Sequence, residues 1–207
     1  MFIIEGFVVA QVPRNVTFTD PVRDLLVEAL GVAIEPHSAI YCSAPITTGK
    51  RHLELIRELG RQLVPEDRHR HFAEVIQPNT EHASAVTKAL RSATRDVVID
   101  PAAFPPMVGW SQEDWLALWS AVIARYASKV VFVDDWQFSN GCVEEYVLAA
   151  KLSLPTFDEN GGVINVLAAI SMIEEAVAAL ASIESAAEVI DRKLAILKSL
   201  ARDDARS

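Results

Sequence analysis

Residues 139–151 read SNGCVEEYVLAAK and set two adjacent carboxylates, Glu144 and Glu145, just behind Ser139, Asn140 and Gly141. Helical spacing separates the pair. Glu144 shares a stripe with Leu148 and Lys151 and tends toward the solvent edge. Glu145 shares one with Cys142, Ala149 and Leu152, the small apolar face that would pack on a sheet. A buried carboxylate is costly unless compensated, and a helix N-terminus favours its ionised form. An ionised, oriented, partly desolvated carboxylate is what a covalent glycosyl-transfer nucleophile requires. The plainer alternative is that both glutamates complement the helix dipole, and spacing alone leaves both readings open. Ser139 or Asn140 is expected to cap the helix, and Gly141 allows a ligand to approach the backbone.

Two further loops carry usable chemistry. ITTGKRH (46–52) places Thr47, Thr48, Gly49, Lys50 and Arg51 where a helix begins. Hydroxyls, free backbone N–H groups and two cations there suit an anion such as phosphate. The spacing is not that of a Walker loop, and a capped helix with solvated cations is the bland alternative. DPAAFPPMVGW (100–110) offers Phe104, Met107 and Trp110 either as a base-stacking wall or as a cover over the core. DDWQF (134–138) adds Asp134, Asp135 and Trp136 to the loop before the glutamates.

The elements that must position these loops alternate between strand and helix. Residues 2–12 are β-rich. TDPVRDLLVEALG predicts a helix with Asp20 as cap, Pro21 at the first helical position and Gly31 as stop. SAIYCSAP predicts a buried strand, and TGKRHLELIRELGRQL a helix with Leu53, Ile56, Leu59 and Leu63 inward. RHRHF reads as a basic turn, EVIQP as a strand ended by Pro78, and TEHASAVTKALRSA as a helix capped by Thr80. DVVIDP is a strand. SQEDWLALWSAVIARYA is a helix with a capping box of Ser111 and Asp114. KVVFVDD is a strand buried on both faces, GCVEEYVLAAKL the next helix, and LPTF a last strand. This alternation predicts an α/β fold with a mainly parallel sheet, whose strand ends gather the three loops on one rim. From about residue 162 two Ala-rich amphipathic helices follow. Ile183, Ile190 and Leu197 sit one heptad apart, as a packing face or as an oligomer contact.

Bulk properties narrow the function. The chain has 207 residues, with 51% hydrophobic and 23% charged, which is a globular composition. A net charge of −9 provides no basic stripe for a nucleic-acid backbone. Two cysteines, Cys42 and Cys142, without metal-type spacing, read as buried reduced thiols. The sequence shows no secretory signal and no apolar run long enough to span a bilayer, so a cytoplasmic protein without membrane association is expected.

IYCSAPITTGKRH, followed much later by VVFVDDWQFSNGCVEEYVLAAKLSLPTF, resembles the nucleoside 2-deoxyribosyltransferase-like superfamily. The resemblance spans roughly residues 39–157. Its most specific element is S-x-G-x-x-x-E, here Ser139, Gly141 and Glu145. It implies a flavodoxin-like/Rossmann-like parallel sheet with helices on both faces over residues 39–160. Residues 1–38 form an N-terminal extension, and 161–207 a C-terminal helical extension for packing or oligomerisation. It further implies that Glu145 is the nucleophile that cleaves or exchanges the base of a nucleoside or nucleotide. Serine at 139 and the ITTGK loop are closer to the deoxynucleoside 5′-monophosphate N-glycosidases. Thr47, Thr48, Gly49, Lys50 and Ser139 would then lie near a 5′-phosphate, with Tyr41 near the sugar and Asn140 and Gly141 lining the site. Asp135 is the expected proton donor to the base; Trp136, Phe104 and Trp110 are the expected stacking partners. No metal or other cofactor is implied; a small-molecule nucleotide or nucleoside and a homo-oligomer are. Members usually carry aspartates at the positions of Ala121 and Lys129. That departure favours the rival expectation of a catalytically silent nucleotide-binding or scaffold protein. A transferase acting on nucleosides without phosphate is the third.

Overall fold

The computed structural model describes residues 19–105, 107–181 and 184–204. The β-rich stretch 2–12 and Ile183 lie outside them. Helix α1 (Thr19–Leu30) leads to strand β1 (Ala39–Ser43) and helix α2 (Lys50–Leu59). A helical rod follows: α3 (Arg68–His71), a π-turn (Phe72–Ile76) and α4 (Gln77–Ala93). Then come β2 (Val98–Ile99), α5 (Gln112–Tyr126), β3 (Ala127–Phe132), α6 (Asn140–Lys151) and β4 (Thr156–Asp158). Helices α7 (Val166–Leu180) and α8 (Glu184–Asp204) follow.

The sheet is parallel throughout, with strand order β2-β1-β3-β4. The fold is α/β, flavodoxin-like, with a C-terminal helical extension. Alternation along β1 sends its residues to two faces. Ala39 and Tyr41 join a core built with α5, α6, α7 and α8, while Ile40 and Cys42 join Val86 and Leu90 of α4. Helices therefore cover both faces. The order reverses between β1 and β3, so the carboxyl ends of these two strands flank the crevice where such sheets take ligands.

Several local expectations give way. Helix α1 already runs at Thr19, so Asp20 lies inside it and does not cap it. Helix α2 stops at Gly60, in the left-handed conformation, before reaching Leu63. RHRHF is helical, not a turn, and EVIQP is a π-turn, not a strand. The reason is Pro78, which has no N–H to give to the carbonyl four residues back. The rod widens by one residue there, with Gln77 N–H bonding Phe72 O, and continues instead of ending. Thr80 is consequently interior, its hydroxyl donating to Ile76 O. The Ser111–Asp114 capping box forms as expected.

Ile190, Leu194 and Leu197 of α8 are buried against the rest of the chain, α8 packing on α6 and α7. The heptad positions among the described residues are thus used inside the molecule, not offered as an oligomer contact. No helix among the described residues is long and apolar enough to cross a membrane.

Candidate active site at the strand switch point

Glu145 is 8% exposed and lies on the face of α6 that meets the sheet. Its two carboxylate oxygens are held separately. The Tyr41 hydroxyl donates to Oε1 at 2.6 Å, and the Ser43 hydroxyl donates to Oε2 at 2.5 Å. Tyr41 and Ser43 are two apart on β1, so strand alternation points both at α6. Ser43 is a site residue that sequence reading missed, although the period-two rule applied to Tyr41 identifies it.

Helix α6 starts at Asn140 behind Ser139, which makes Glu145 the sixth helical residue and not a first-turn residue. The helix dipole has faded that far in. Burial dominates instead, raising the carboxyl to about 7, while the Ser43 and Tyr41 hydroxyls and the charge of Lys193 pull it back down. The expected ionised carboxylate is therefore one poised near neutrality. Glu144 is partly exposed and paired with Lys193 of α8 at 2.6 Å.

The loops after β1 and β3 meet here. The Thr48 hydroxyl donates to Ser139 Oγ at 3.0 Å. Burial pushes the Cys142 thiol up to about 12 and Cys42 up to about 11, so both stay neutral and unreactive. Ser139 precedes α6 without a side-chain cap bond, its hydroxyl being engaged with Thr48.

The loop before α2 is fixed from below by α4. The buried Asn79 amide donates to Ile46 O and Thr48 O and accepts from Arg51. His71 Nε2 reaches Thr47 O at 2.9 Å. Neither Asn79 nor His71 was legible as a loop anchor, because the sequence placed His71 in a turn and Asn79 between a strand ended by Pro78 and a helix capped by Thr80. Gly49 adopts φ 94°, and a Cβ there would meet Pro45 Cβ at 3.0 Å, so the loop requires glycine. Gly141 differs: a methyl group there would make ordinary contacts of 3.9–4.0 Å. Thr47 and Lys50 are exposed on the rim.

The expected aromatic residues divide. Trp136 is 1% exposed, stacked on Tyr146 and tilted on Phe132, both with ring centroids 4.9 Å away. It is core and cannot be a stacking platform. Phe104 and Trp110 are half-buried and belong to an aromatic series through Trp115 and Trp119 to Tyr41. Phe104 also lines a groove of about 330 Å³ beside β2.

Among the carboxylates, Asp135 is half-buried at the carboxyl end of β3 with φ 66°, heading a short 3-10 turn. Asp114 closes the capping box of α5 by accepting from Ser111 N–H, and Asp134 sits beside Glu159 on the far side of β3. The bonds that hold Glu145 come from hydroxyls, not from any of these. Among the described residues no cluster of three or more His, Cys, Asp or Glu could hold a metal ion. A buried doubly bonded carboxylate of this kind can act as a nucleophile, as a general base or, when protonated, as an acid. Comparison with protein-family models, with curated proteins and with solved structures found no match.

Proposed function

We propose that the protein cleaves or exchanges the N-glycosidic bond of a (deoxy)nucleoside 5′-monophosphate through Glu145. The observation that carries this reading is the Glu145 carboxylate itself, buried at the β1/β3 switch point and oriented by Tyr41 and Ser43. Its ionised form attacks the anomeric carbon. A Glu145 Oε–carbon bond forms as the carbon–nitrogen bond to the base breaks, and the departing base takes a proton from Asp135. Water then adds to the anomeric carbon and gives its proton back to Asp135, which frees Glu145 with net retention. A second nucleobase in place of water gives exchange. Glycosyl transfer suits a carboxylate poised near 7, which is ionised enough to attack and basic enough to bond well.

The phosphate site draws on the starts of α2 and α6, brought together by the Thr48–Ser139 bond. Gly49 and Lys50 complete it, with Thr47 on the rim. Two helix starts, two hydroxyls and a cation match a dianion. Asn140 Oδ1 is buried without a partner among the described residues, so it is available to a sugar hydroxyl. Phe104 and Trp110 remain the candidates for the base.

The test incubates the protein with a panel of nucleoside and deoxynucleoside 5′-monophosphates and the matching nucleosides, and measures free base by chromatography. Base release that falls at least about 10³-fold in Glu145→Ala is expected. Lys50→Met should slow monophosphates far more than nucleosides; equal activity on both classes points to a nucleoside transferase. No base from any substrate, or equal release by Glu145→Ala, sinks the enzyme reading. A second reading, a silent nucleotide-binding protein, is favoured by the closure of Glu145, both of whose oxygens are already bonded. Nucleotide binding without turnover would establish it.

A further inference from the structure

Helix α8 lies outside the segment that resembles the glycosyl-transfer enzymes, yet it reaches the start of α6. Lys193 Nζ bonds Asn140 O at 2.9 Å and Glu144 Oε2 at 2.6 Å. Its side chain is 11% exposed, against 40% for Glu144. The placement follows from spacing. Lys193 is three residues after Ile190 and four before Leu197, on the stripe that α8 buries, so packing fixes it inward. A cation at the first residue of a helix opposes the helix dipole, so stabilising α6 does not account for it. Burying an ammonium is also costly unless it is paired.

We propose that Lys193 is a positioning residue of the Glu145 site, an ammonium supplied by the C-terminal helix that grips the start of α6 and favours the ionised carboxylate. The proposal rests on Glu145 being the reactive group. On the face of the sheet that Glu145 meets stand Tyr41 and Ser43 from β1 and Cys142 from α6, with Lys193 of α8 reaching the adjacent Glu144, while Cys42 lies on the opposite face of β1. Tyr41 is raised by burial, and the two thiols likewise, so these three are neutral at physiological pH. Lys193 supplies the positive charge, and Glu144 offsets part of it.

The experiment follows Glu145 by carboxyl-carbon NMR in the full chain labelled at glutamate Cδ, with the resonance assigned by its loss in Glu145→Gln. In Lys193→Met the midpoint should rise by about half a pH unit or more. In Lys193→Arg it should stay near that of the parent. In Glu144→Gln it should fall, because the Lys193 charge is no longer offset and an anion has gone. Opposite signs for Lys193→Met and Glu144→Gln are the signature, since a clamp that merely holds α8 in place would move both the same way or neither. A Lys193→Met midpoint that is unchanged or lower, or shifts of one sign in both variants, overturns the proposal. If Lys193→Met does not fold, Lys193→Gln takes its place: a raised midpoint sustains the proposal, and an unchanged or lower one overturns it. The titration uses no substrate, so it stands apart from failure of the glycosidase reading. That reading fails in the base-release assay, whatever the midpoints show.

Discussion

Two glutamates lie near the carboxyl ends of the sheet in opposite circumstances. Glu159, after β4, accepts from the backbone N–H of Asp134 at 3.0 Å and meets His82 Nε2 at 3.1 Å. It ties the β4 turn to β3 and to α4, beside a groove of about 480 Å³ between α4 and that turn. Among the described residues Glu145 has only hydroxyl donors, with deeper burial and a cation one residue removed. A backbone amide and an imidazole make Glu159 a fastening. Glu145 is under-compensated, which is what a folding element avoids and a reactive group needs. The two carboxylates thus differ in how far their donors offset desolvation, although both lie near strand ends.

The contrast breaks most visibly in pH-dependent stability. Glu145 has a higher pKa folded than unfolded, so the folded state holds its proton more tightly. Stability therefore falls as pH rises from about 4.5 through about 7. Glu145→Gln should stabilise the protein at pH 8, by about 3 kcal/mol at most, and have little effect at pH 4. Thermal melts at the two pH values measure this, and an equal effect at both would put Glu145 in the same class as Glu159.

Next in size is Tyr41→Phe. Tyr41 is fully buried, and phenylalanine fills its place while removing the 2.6 Å bond to Glu145. The proposed activity at pH 7 should fall about 10- to 100-fold and recover partly toward pH 9, because a bond to the ionised form is lost and the Glu145 midpoint climbs. A pH-rate profile with unmoved midpoint would show that Tyr41 packs without tuning.

The smallest effect belongs to Glu159→Gln. Loss of its charge toward His82 should cost about 1 kcal/mol in a thermal or denaturant melt and leave base release within about twofold. A loss of activity comparable to that of Tyr41→Phe would erase the distinction between the two regions.

How much of this was legible depends on the range of each interaction. Strand alternation, helical stripes and the Ser111–Asp114 box are local, and they gave the α/β class, the inward face of Glu145 and most element positions. Residues 80–93 are helical as expected, whereas 68–78 read as a turn and a strand because Pro78 usually ends a helix, and a π-turn that absorbs it has no sequence signal. Trp136 was misassigned for a related reason. A tryptophan in a loop between a strand and a helix looks available, but Tyr146 and Phe132 come back over it only when α6 folds onto β3.

The sequence by itself determined which of two adjacent glutamates faces inward, since residues one apart on a helix differ by about 100° whatever surrounds them. It also determined that β1 and α6 belong to one parallel sheet domain. Only the tertiary structure decided the state of that carboxylate. Its donors lie 102 and 104 residues away on β1, and the cation paired with its neighbour Glu144 arrives on α8. Burial and bonding partners are properties of assembled elements, so the chemistry of Glu145 exists only once β1, α6 and α8 have met.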